Sequence, residues 1–530
     1  MSSLKPEVAR RDQDLAAALR ARHADTLQGA LGHLDDVRAV AVVISLSLPS
    51  ARTRTGQLLA LHLANLLGRL EGVVASVSVS IDEDSPVELL PGVDHRDATG
   101  GGLLAAAVLR SARLARPDQA SPPEALRHCS RGALVVRIGA LRAGEAVVHT
   151  AASAWVAYVG AKPGPECVDD ERSATGAHAA AALAAAEIFR HLRVVGDLSS
   201  GPSALLFSTW DWTFSTSLTD GSPTKSSLQA LYDVGFSRFT LVGAGAVGGA
   251  FLLAMWASQV PVFEGLVIDG DQVSATNLNR YVLFGLSDLG CAKAVRAAEL
   301  LERQRPRFSL RPVPEWWSDY RRRDSSPIRL LISVVDTNRA RHQLQDALPC
   351  LVFGGSTLAL RAQVDRYDLA SAESNCLKCH NPPEPVETDA SLRTRLLQLD
   401  RTVLRLEAID RGVEPDLLKR YVDDLRTGGD GCAILAGSSL DKLRRGSGES
   451  NFAVSFVSSL AGTLLAAQVM RESSGAGVLL RPGQSRGLFQ LWRPGAVSNS
   501  VRKGDPNPVC WCRQAEVRNV YNALWGTAGA

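Results

Sequence analysis

The sequence predicts an α/β protein with two doubly wound, mainly parallel sheets. Short apolar runs that fit buried strands alternate with longer runs that fit helices, and this pattern occurs twice along the chain. At 530 residues the chain is several times the usual length of one domain. A run rich in Gly, Ser and Thr over 196–227 suggests a join. We expect a first unit over 1–205, a linker over 206–235 and a second unit over 236–530.

The second unit has the clearer pattern. We expect a late helix of small and apolar residues over 451–471, containing Gly462, to pack closely on the sheet. The other predicted elements are a strand over 239–242, a helix over 247–258, a strand over 266–268 ending at Asp269, and a strand over 330–335 ending at Asp336.

The first unit repeats this order without a glycine-rich turn. Its first strand and helix are joined by the segment 47–56, which lacks the glycine spacing of a nucleotide-binding loop. The predicted elements are strands over 39–48 and 73–81, a helix over 55–70, strands near 133–138 and 146–159, and a helix over 176–192. The interpretation is a duplicated domain whose first copy has lost nucleotide binding, or an unrelated α/β domain with the same order.

Composition excludes several classes of protein. The chain is 45% hydrophobic and 21% charged, which is typical of folded rather than disordered proteins. The net charge of +3 gives no reason to expect a nucleic-acid partner. Residues 239–263 carry no charge, but four glycines and Pro261 divide them into strand, turn and helix rather than a membrane span. With no signal-like start at the N-terminus, we expect a cytoplasmic protein.

The most specific local pattern is the turn after the strand 239–242. Gly243, Gly245 and Gly248 have the spacing that permits a tight turn, close approach of a phosphate, and close packing of helix on sheet. Asp269 follows the next strand, where a carboxylate binds ribose hydroxyls. These residues predict a Rossmann-like nucleotide site.

The residues that follow indicate adenylation rather than hydride transfer. Activating a carboxylate with ATP requires groups that neutralise phosphates and a carboxylate that holds magnesium. Asp336, at the end of a strand, is the magnesium candidate. The other candidates for nucleotide contacts are Asp271, Asn277, Asn279, Arg280 and Lys293.

These motifs, over roughly 236–345, resemble the ubiquitin-activating-enzyme superfamily. That superfamily includes the ThiF–MoeB-like bacterial adenylyltransferases of thiamine and molybdopterin biosynthesis. The resemblance implies adenine and ribose binding by Asp269, phosphate contacts from Asn279, Arg280 and Lys293, and magnesium at Asp336. The chain departs from many members at Asn338, which is displaced by one position and stays without a role.

Two close cysteine pairs predict a metal centre. Cys376 and Cys379 form a CxxC pair, and Cys510 and Cys512 form a tighter CxC pair. Two such pairs can complete a closed tetrahedral zinc site, with His380 as a reserve ligand. Four free thiols are the alternative. A zinc ion here would be structural and would tie the C-terminal segment to its domain.

Cys432 is the candidate nucleophile. It is the only cysteine between the two pairs and lies in the glycine-rich run 427–433, where a thiol would be accessible. The resemblance places a thioester cysteine on a crossover loop in this interval, which corresponds to 381–447. A packed free thiol is the alternative.

The resulting hypothesis is an ATP-dependent enzyme that adenylates a ubiquitin-like protein ending in glycine. It then carries that protein on Cys432 and delivers it to a conjugating enzyme. Its two-copy layout is similar to eukaryotic activating enzymes and to those of bacterial antiphage conjugation operons. Pairing of the two halves within one chain and pairing between the chains of a homodimer both stay open. Alternatives are a sulfur-carrier adenylyltransferase, a pseudoenzyme scaffold, or a fused conjugating domain using Cys167.

Overall fold

The computed structural model describes most of the chain between residues 39 and 526. The gaps within that range are 71, 97–101, 117–132, 141–146, 170–171, 194–203, 215–216, 219–237, 304, 306, 359, 371–372, 384–386, 411–412, 430–433, 436–438, 441–442, 444–453, 477–478, 481–483, 492–499 and 503–506.

The first unit is a six-stranded sheet with helices against it. Its strand order is β2-β1-β3-β4-β5-β6, parallel up to β4 and antiparallel beyond. The elements are β1 (Val40–Leu46), α1 (Leu48–Ala51), α2 (Arg54–Gly68), β2 (Val74–Ile81), α3 (Leu104–Ala112), β3 (Leu134–Ile138), β4 (Val148–Ala152), β5 (Val156–Gly160), α4 (Thr175–Arg193) and β6 (Leu205–Ser208).

The second unit is an eight-stranded sheet of order β14-β13-β12-β11-β10-β7-β8-β9. Strands β7 to β11 are parallel to one another, and β12 to β14 run antiparallel to their neighbours. The elements are β7 (Phe239–Val242), α5 (Ala246–Ala257), β8 (Val262–Ile268), α6 (Lys293–Glu302), β9 (Phe308–Val313), α7 (Trp317–Arg323), β10 (Leu330–Ser333), α8 (Asn338–Asp346), β11 (Leu351–Leu358), β12 (Arg361–Tyr367), α9 (Leu377–His380), α10 (Asp389–Gln398), α11 (Arg401–Asp410), α12 (Pro415–Arg426), α13 (Ser455–Ser473), β13 (Arg486–Gln490), β14 (Ser500–Arg502) and α14 (Ala515–Trp525).

The two sheets share one topology. The order β2-β1-β3-β4-β5-β6 matches β8-β7-β10-β11-β12-β13 strand for strand and in every direction of pairing. The helices match too, since α2 and α5 follow the first strand and α4 and α13 precede the last. The predicted α/β class with two parallel-rich sheets is confirmed. The predicted strand near 146–159 is instead two antiparallel strands, β4 and β5, and β6 lies at the start of the expected linker.

The two units share one hydrophobic core, built mainly by α2, α4, α5 and α13. Helix α5 is buried at every position from 247 to 257, because it packs between its sheet and α13. Gly462 of α13 makes this packing possible, since a Cβ there would lie 2.6 Å from the Cβ of Ala250. Among the described residues, no helix is long and apolar enough to cross a membrane.

The interval expected to hold the crossover region contains a small helical cluster. Helices α10, α11 and α12 surround their own apolar core, to which Leu396, Leu404 and Leu418 contribute. Arg395 lies between Glu387 and Glu407 at 2.9 and 3.0 Å, which joins the first two of these helices to the segment before them. This cluster lies between the two cysteine pairs in sequence.

Candidate nucleotide and metal sites

The turn between β7 and α5 requires its glycines. Gly243 has φ of +102°, and a Cβ on it would lie 2.9 Å from the carbonyl oxygen of Val334. A Cβ on Gly248 would collide with the carbonyl oxygen of Gly243. Gly245 is the N-cap of α5 and makes no side-chain cap. The first amide groups of α5 therefore face the carboxyl edge of the sheet without a capping side chain, an arrangement suited to an anion.

Asp269 connects this turn to the end of β8. One carboxylate oxygen accepts a hydrogen bond from the amide of Ala244 at 2.6 Å, and the other from the amide of Asp271 at 2.9 Å. Burial raises the pKa of Asp269, and the nearby Lys293 ammonium opposes this rise. The carboxylate thus holds the turn at the position where the sequence predicts a ribose.

Lys293 is the buried cation of the site. Its Nζ lies 2.8 Å from Asp271 Oδ2 and 5.2 Å from the ring centroid of Tyr281. Burial disfavours the ammonium form, but Tyr281, Asp269 and Asp271 outweigh this effect and raise the pKa of Lys293 above its usual range. The side chain remains charged at neutral pH.

The segment 274–281 places a second cation beside the first. Arg280 donates to the carbonyl of Thr276 at 2.9 Å and to Asn279 Oδ1 at 3.0 Å, and it lies 5.4 Å from the ring centroid of Tyr281. Asn277 has a local contact instead, because its Oδ1 accepts from the amide of Ser274 and closes a short 3-10 turn. Tyr281 thus lies against both cations.

Asp336 lies at the same edge of the sheet, after β10. The amide of Val334 donates to the carbonyl of Val242 at 3.1 Å, so the chain beyond β10 runs beside the glycine turn. The Asp336 side chain is exposed, and within the described part of the chain its carboxylate has no hydrogen bond or ion pair. This carboxylate is accessible to a cation, as the magnesium prediction requires.

Asn338, which the sequence left without a role, makes two structural hydrogen bonds. Its Nδ2 donates to the carbonyl of Pro382 at 2.8 Å, and its Oδ1 accepts from Arg341 at 2.6 Å. Arg341 also donates to Asn381 Oδ1 and to the carbonyl of Val335. These contacts fasten the chain leaving the first cysteine pair to the start of α8, just after Asp336.

The four paired cysteines form one cluster. Their sulfur atoms all lie within 4.8 Å of one another, and three of the separations are 3.5, 3.7 and 3.8 Å. A tetrahedral zinc site with bonds of about 2.3 Å has sulfur–sulfur edges of about 3.8 Å, so the cluster fits such an ion. His380 lies outside it, with its ring edge-on to Tyr367. The cysteines involved are Cys376, Cys379, Cys510 and Cys512.

The described cysteines outside this cluster have no comparable surroundings. Cys432 lies outside the described residues, which stop at Gly429 and resume at 434. Cys167 is buried, and burial raises the pKa of its thiol to about 11, which makes it a poor nucleophile at neutral pH. Cys291 and Cys350 are partly buried.

The corresponding edge of the first sheet is occupied by the chain's own side chains. Asp82 follows β2, as Asp269 follows β8, and both its oxygens accept from Arg137 at 2.8 and 2.6 Å. Glu166 accepts from the hydroxyls of Ser47 and Ser50, in the turn that corresponds to the glycine turn. A carboxylate and a salt bridge therefore fill this edge.

One edge of the second sheet carries a glycine turn, an acidic strand end and two cations. These features define the chain as an α/β protein with a site of the nucleotide-binding type. Comparison with protein families matches residues 224–512 to the ThiF family, which is more than half of the chain. The chain belongs to the ThiF family.

Individual relatives are distant. The uncharacterized protein y4jF of Sinorhizobium fredii (strain NBRC 101917 / NGR234) is 26% identical over 308 residues, covering 54% of this chain and 58% of the relative, so the match spans less than two thirds of its length. Among solved structures, E. coli MccB with MccA-N7isoASN is 15% identical, covers 54% of this chain and 69% of its own, and gives a TM-score of 0.36. E. coli MccB with ATP is 14% identical, covers 55% and 68%, and gives 0.35.

Proposed function

We propose that this protein activates a ubiquitin-like protein by adenylating its C-terminal glycine, and then holds it as a thioester on Cys432. Membership of the ThiF family supports an ATP-dependent adenylyltransferase. The observation that carries the proposal is the set of charged groups at the glycine turn, where Lys293 and Arg280 lie beside one tyrosine and Asp269 closes the turn.

In this proposal the turn binds ATP. Asp269 uses its remaining lone pairs for the ribose hydroxyls, and the first amides of α5 face the phosphates. Lys293 and Arg280 neutralise the charge that develops on the phosphates. Asp271 holds Lys293 in the absence of nucleotide and can release it at little cost, since its own side chain is half exposed.

Asp336 would hold a magnesium ion, which supplies charge neutralisation to the phosphates when it is bound. The substrate's terminal carboxylate attacks the α-phosphorus of ATP and pyrophosphate leaves, which gives an acyl adenylate. The thiolate of Cys432 then attacks the acyl carbon, and AMP leaves with the electron pair of the broken bond. Transfer to a conjugating enzyme would be a second thiol exchange of the same kind.

The four-cysteine cluster would hold a structural zinc ion away from this chemistry. Cys376 and Cys379 follow β12 of the second sheet, whereas Cys510 and Cys512 precede the final helix α14, so one ion would fasten that helix to the domain. The first unit would bind no nucleotide, because Glu166 and the Arg137–Asp82 pair occupy the corresponding edge.

The proposal is tested by ATP–pyrophosphate exchange in the presence of candidate ubiquitin-like proteins encoded nearby. Wild type should exchange pyrophosphate only with magnesium and the correct acceptor, and Asp336→Ala should abolish that exchange. Asp319→Ala is the matched control, since Asp319 is an exposed carboxylate on α7 paired with Arg322. Exchange retained by Asp336→Ala would overturn the magnesium assignment. Exchange without any thioester would favour a sulfur-carrier adenylyltransferase.

A further inference from the structure

The segment 278–284 carries Asn279 and Arg280, and its backbone is held by the first unit. Asn65 Nδ2 donates to the carbonyl of Val282 at 2.8 Å. The guanidinium of Arg69 donates to the carbonyls of Leu278 and Phe284, the second at 2.7 Å. Both donors belong to the C-terminal end of α2, more than two hundred residues away in sequence.

A second contact lies beside the first. Arg96, also from the first unit, donates to the carbonyl of Leu283 at 2.7 Å and pairs with Asp288. The carboxylate of Asp288 is fully buried and also pairs with Arg296 of α6 at 2.7 Å. Asp288 therefore joins the two units.

These side chains donate hydrogen bonds to carbonyls of the segment that its own amides leave without a donor. Its carbonyls at 278, 282, 283 and 284 accept no hydrogen bond from backbone amides within the described residues. Buried carbonyls without donors are costly, so the loop keeps this shape only while side chains of the first unit supply these donors. Arg69 is 1% exposed, and its Nε donates to Asn65 Oδ1 at 2.6 Å. This bond fixes the orientation of the guanidinium, so that its two other nitrogens point at the carbonyls of the segment.

We propose that Arg69, supported by Asn65, is a positioning residue for the nucleotide site of the second unit. It fixes the backbone on either side of Asn279 and Arg280, and so sets where the Arg280 guanidinium lies relative to Lys293. The first unit then has a role in catalysis without touching the nucleotide. This inference rests on the proposed adenylation for its kinetic test, whereas its structural test does not.

The experiment compares three variants of the full chain. Arg69→Met removes the donors, Arg69→Lys restores a charge and part of the hydrogen bonding, and Arg54→Met is the matched control. Arg54 belongs to the same helix and also spans the units, but it donates to the carbonyl of Ala257 at the far end of α5. Asn65→Leu, which loses only the Val282 contact and the support of Arg69, serves if Arg69→Met does not fold.

Two readouts decide the outcome. In Arg69→Met, amide hydrogen exchange in 278–284 should rise about tenfold or more, because buried carbonyls have lost donors. In ATP–pyrophosphate exchange, kcat should fall by on the order of 10²-fold with a smaller change in KM, since a displaced cation acts mainly in the transition state. Arg69→Lys should recover part of both, and Arg54→Met should lower the melting temperature without changing either.

Loop exchange in Arg69→Met equal to wild type would overturn the inference. So would equal kinetic losses in Arg54→Met and Arg69→Met at matched stability. If wild type activates no acceptor, the proposed function fails on its own, and the hydrogen-exchange comparison still decides whether Arg69 holds the loop.

Discussion

The ammonium of Lys293 lies 2.8 Å from the carboxylate of Asp271, and the two differ sharply in exposure: the side chain of Lys293 is 5% exposed and that of Asp271 is 52% exposed. A buried cation is therefore paired with a carboxylate that water can solvate once the pair separates. Binding of a phosphate can replace Asp271 as the partner of Lys293 without leaving a buried charge unpaired.

Lys293→Met should lower kcat/KM for activation by on the order of 10²-fold, because one phosphate-neutralising charge is lost. Stability should fall only modestly, since Asp271 is left in water and the buried carboxylate of Asp269 keeps its hydrogen bonds from the amides of Ala244 and Asp271. ATP–pyrophosphate exchange and thermal melting measure the two effects. Lys162→Met, at an exposed lysine of the first unit, is the control. Full activity in Lys293→Met would remove this residue from the site.

The cysteine cluster should contain about one zinc ion per chain. Cys512→Ser should lose the metal and lower the melting temperature by on the order of 10 °C, because the ion fastens α14 to its domain. Metal analysis and melting curves check this, with Cys291→Ser outside the cluster as the control. A folded protein with no bound metal and four titratable thiols at these positions would contradict the zinc assignment.

The occupied edge of the first unit should matter for stability alone. Arg137→Met removes the bidentate partner of Asp82, whose side chain is 17% exposed, and should lower the free energy of unfolding by about 3 kcal/mol. The double variant Arg137→Met with Asp82→Leu should recover most of this loss. KM for ATP should be unchanged in both, provided that they fold. A raised KM would mean that the first unit contacts the nucleotide.

Stability should fall as the pH is lowered, because of buried histidines where the units meet. His62 stacks on His178 at 4.2 Å and contacts Ser459 of α13, and burial lowers the pKa of His178 and of His95 to about 3. These rings are neutral in the folded protein and bind protons in the unfolded chain below about pH 6.5. Unfolding therefore takes up protons between about pH 6.5 and 3, and stability is lost as the pH falls through that window.

Melting temperatures measured from pH 7.5 to 5.0 check this dependence. Each histidine contributes at most about 1.4 kcal/mol per pH unit within the window. His178→Gln, which keeps a polar side chain and cannot be protonated, should make the dependence shallower. A dependence as steep as that of wild type would exclude His178 as a source.

Sequence patterns predicted those features of the second unit that depend on residues close together in the chain. The strand, glycine turn and helix over 239–257 follow from spacing alone, and the cysteine pairs do meet in one cluster. Strands β11 to β14 were not predicted, because β12 and β13 carry mixed polar and apolar residues without a strong strand signal.

The contacts between the units could not be predicted. Arg69 and Leu278 are separated by 209 residues, and no periodic pattern marks an arginine at the end of a buried helix as a donor to a distant loop. Asp288 lies close to Lys293 in sequence, but its partners are Arg96 of the first unit and Arg296 of α6. Burial and pairing at such distances are properties of the tertiary structure.

The most direct test of the central claim mixes the protein with ATP, magnesium and each candidate ubiquitin-like protein, and separates the products on a non-reducing gel. Cys432→Ala is compared with wild type and with Cys291→Ala as the matched control. The account predicts a band that requires ATP, disappears with a thiol reductant, persists in Cys291→Ala and is absent from Cys432→Ala. The same band in Cys432→Ala, or adenylate formation without any such band in wild type, would contradict it.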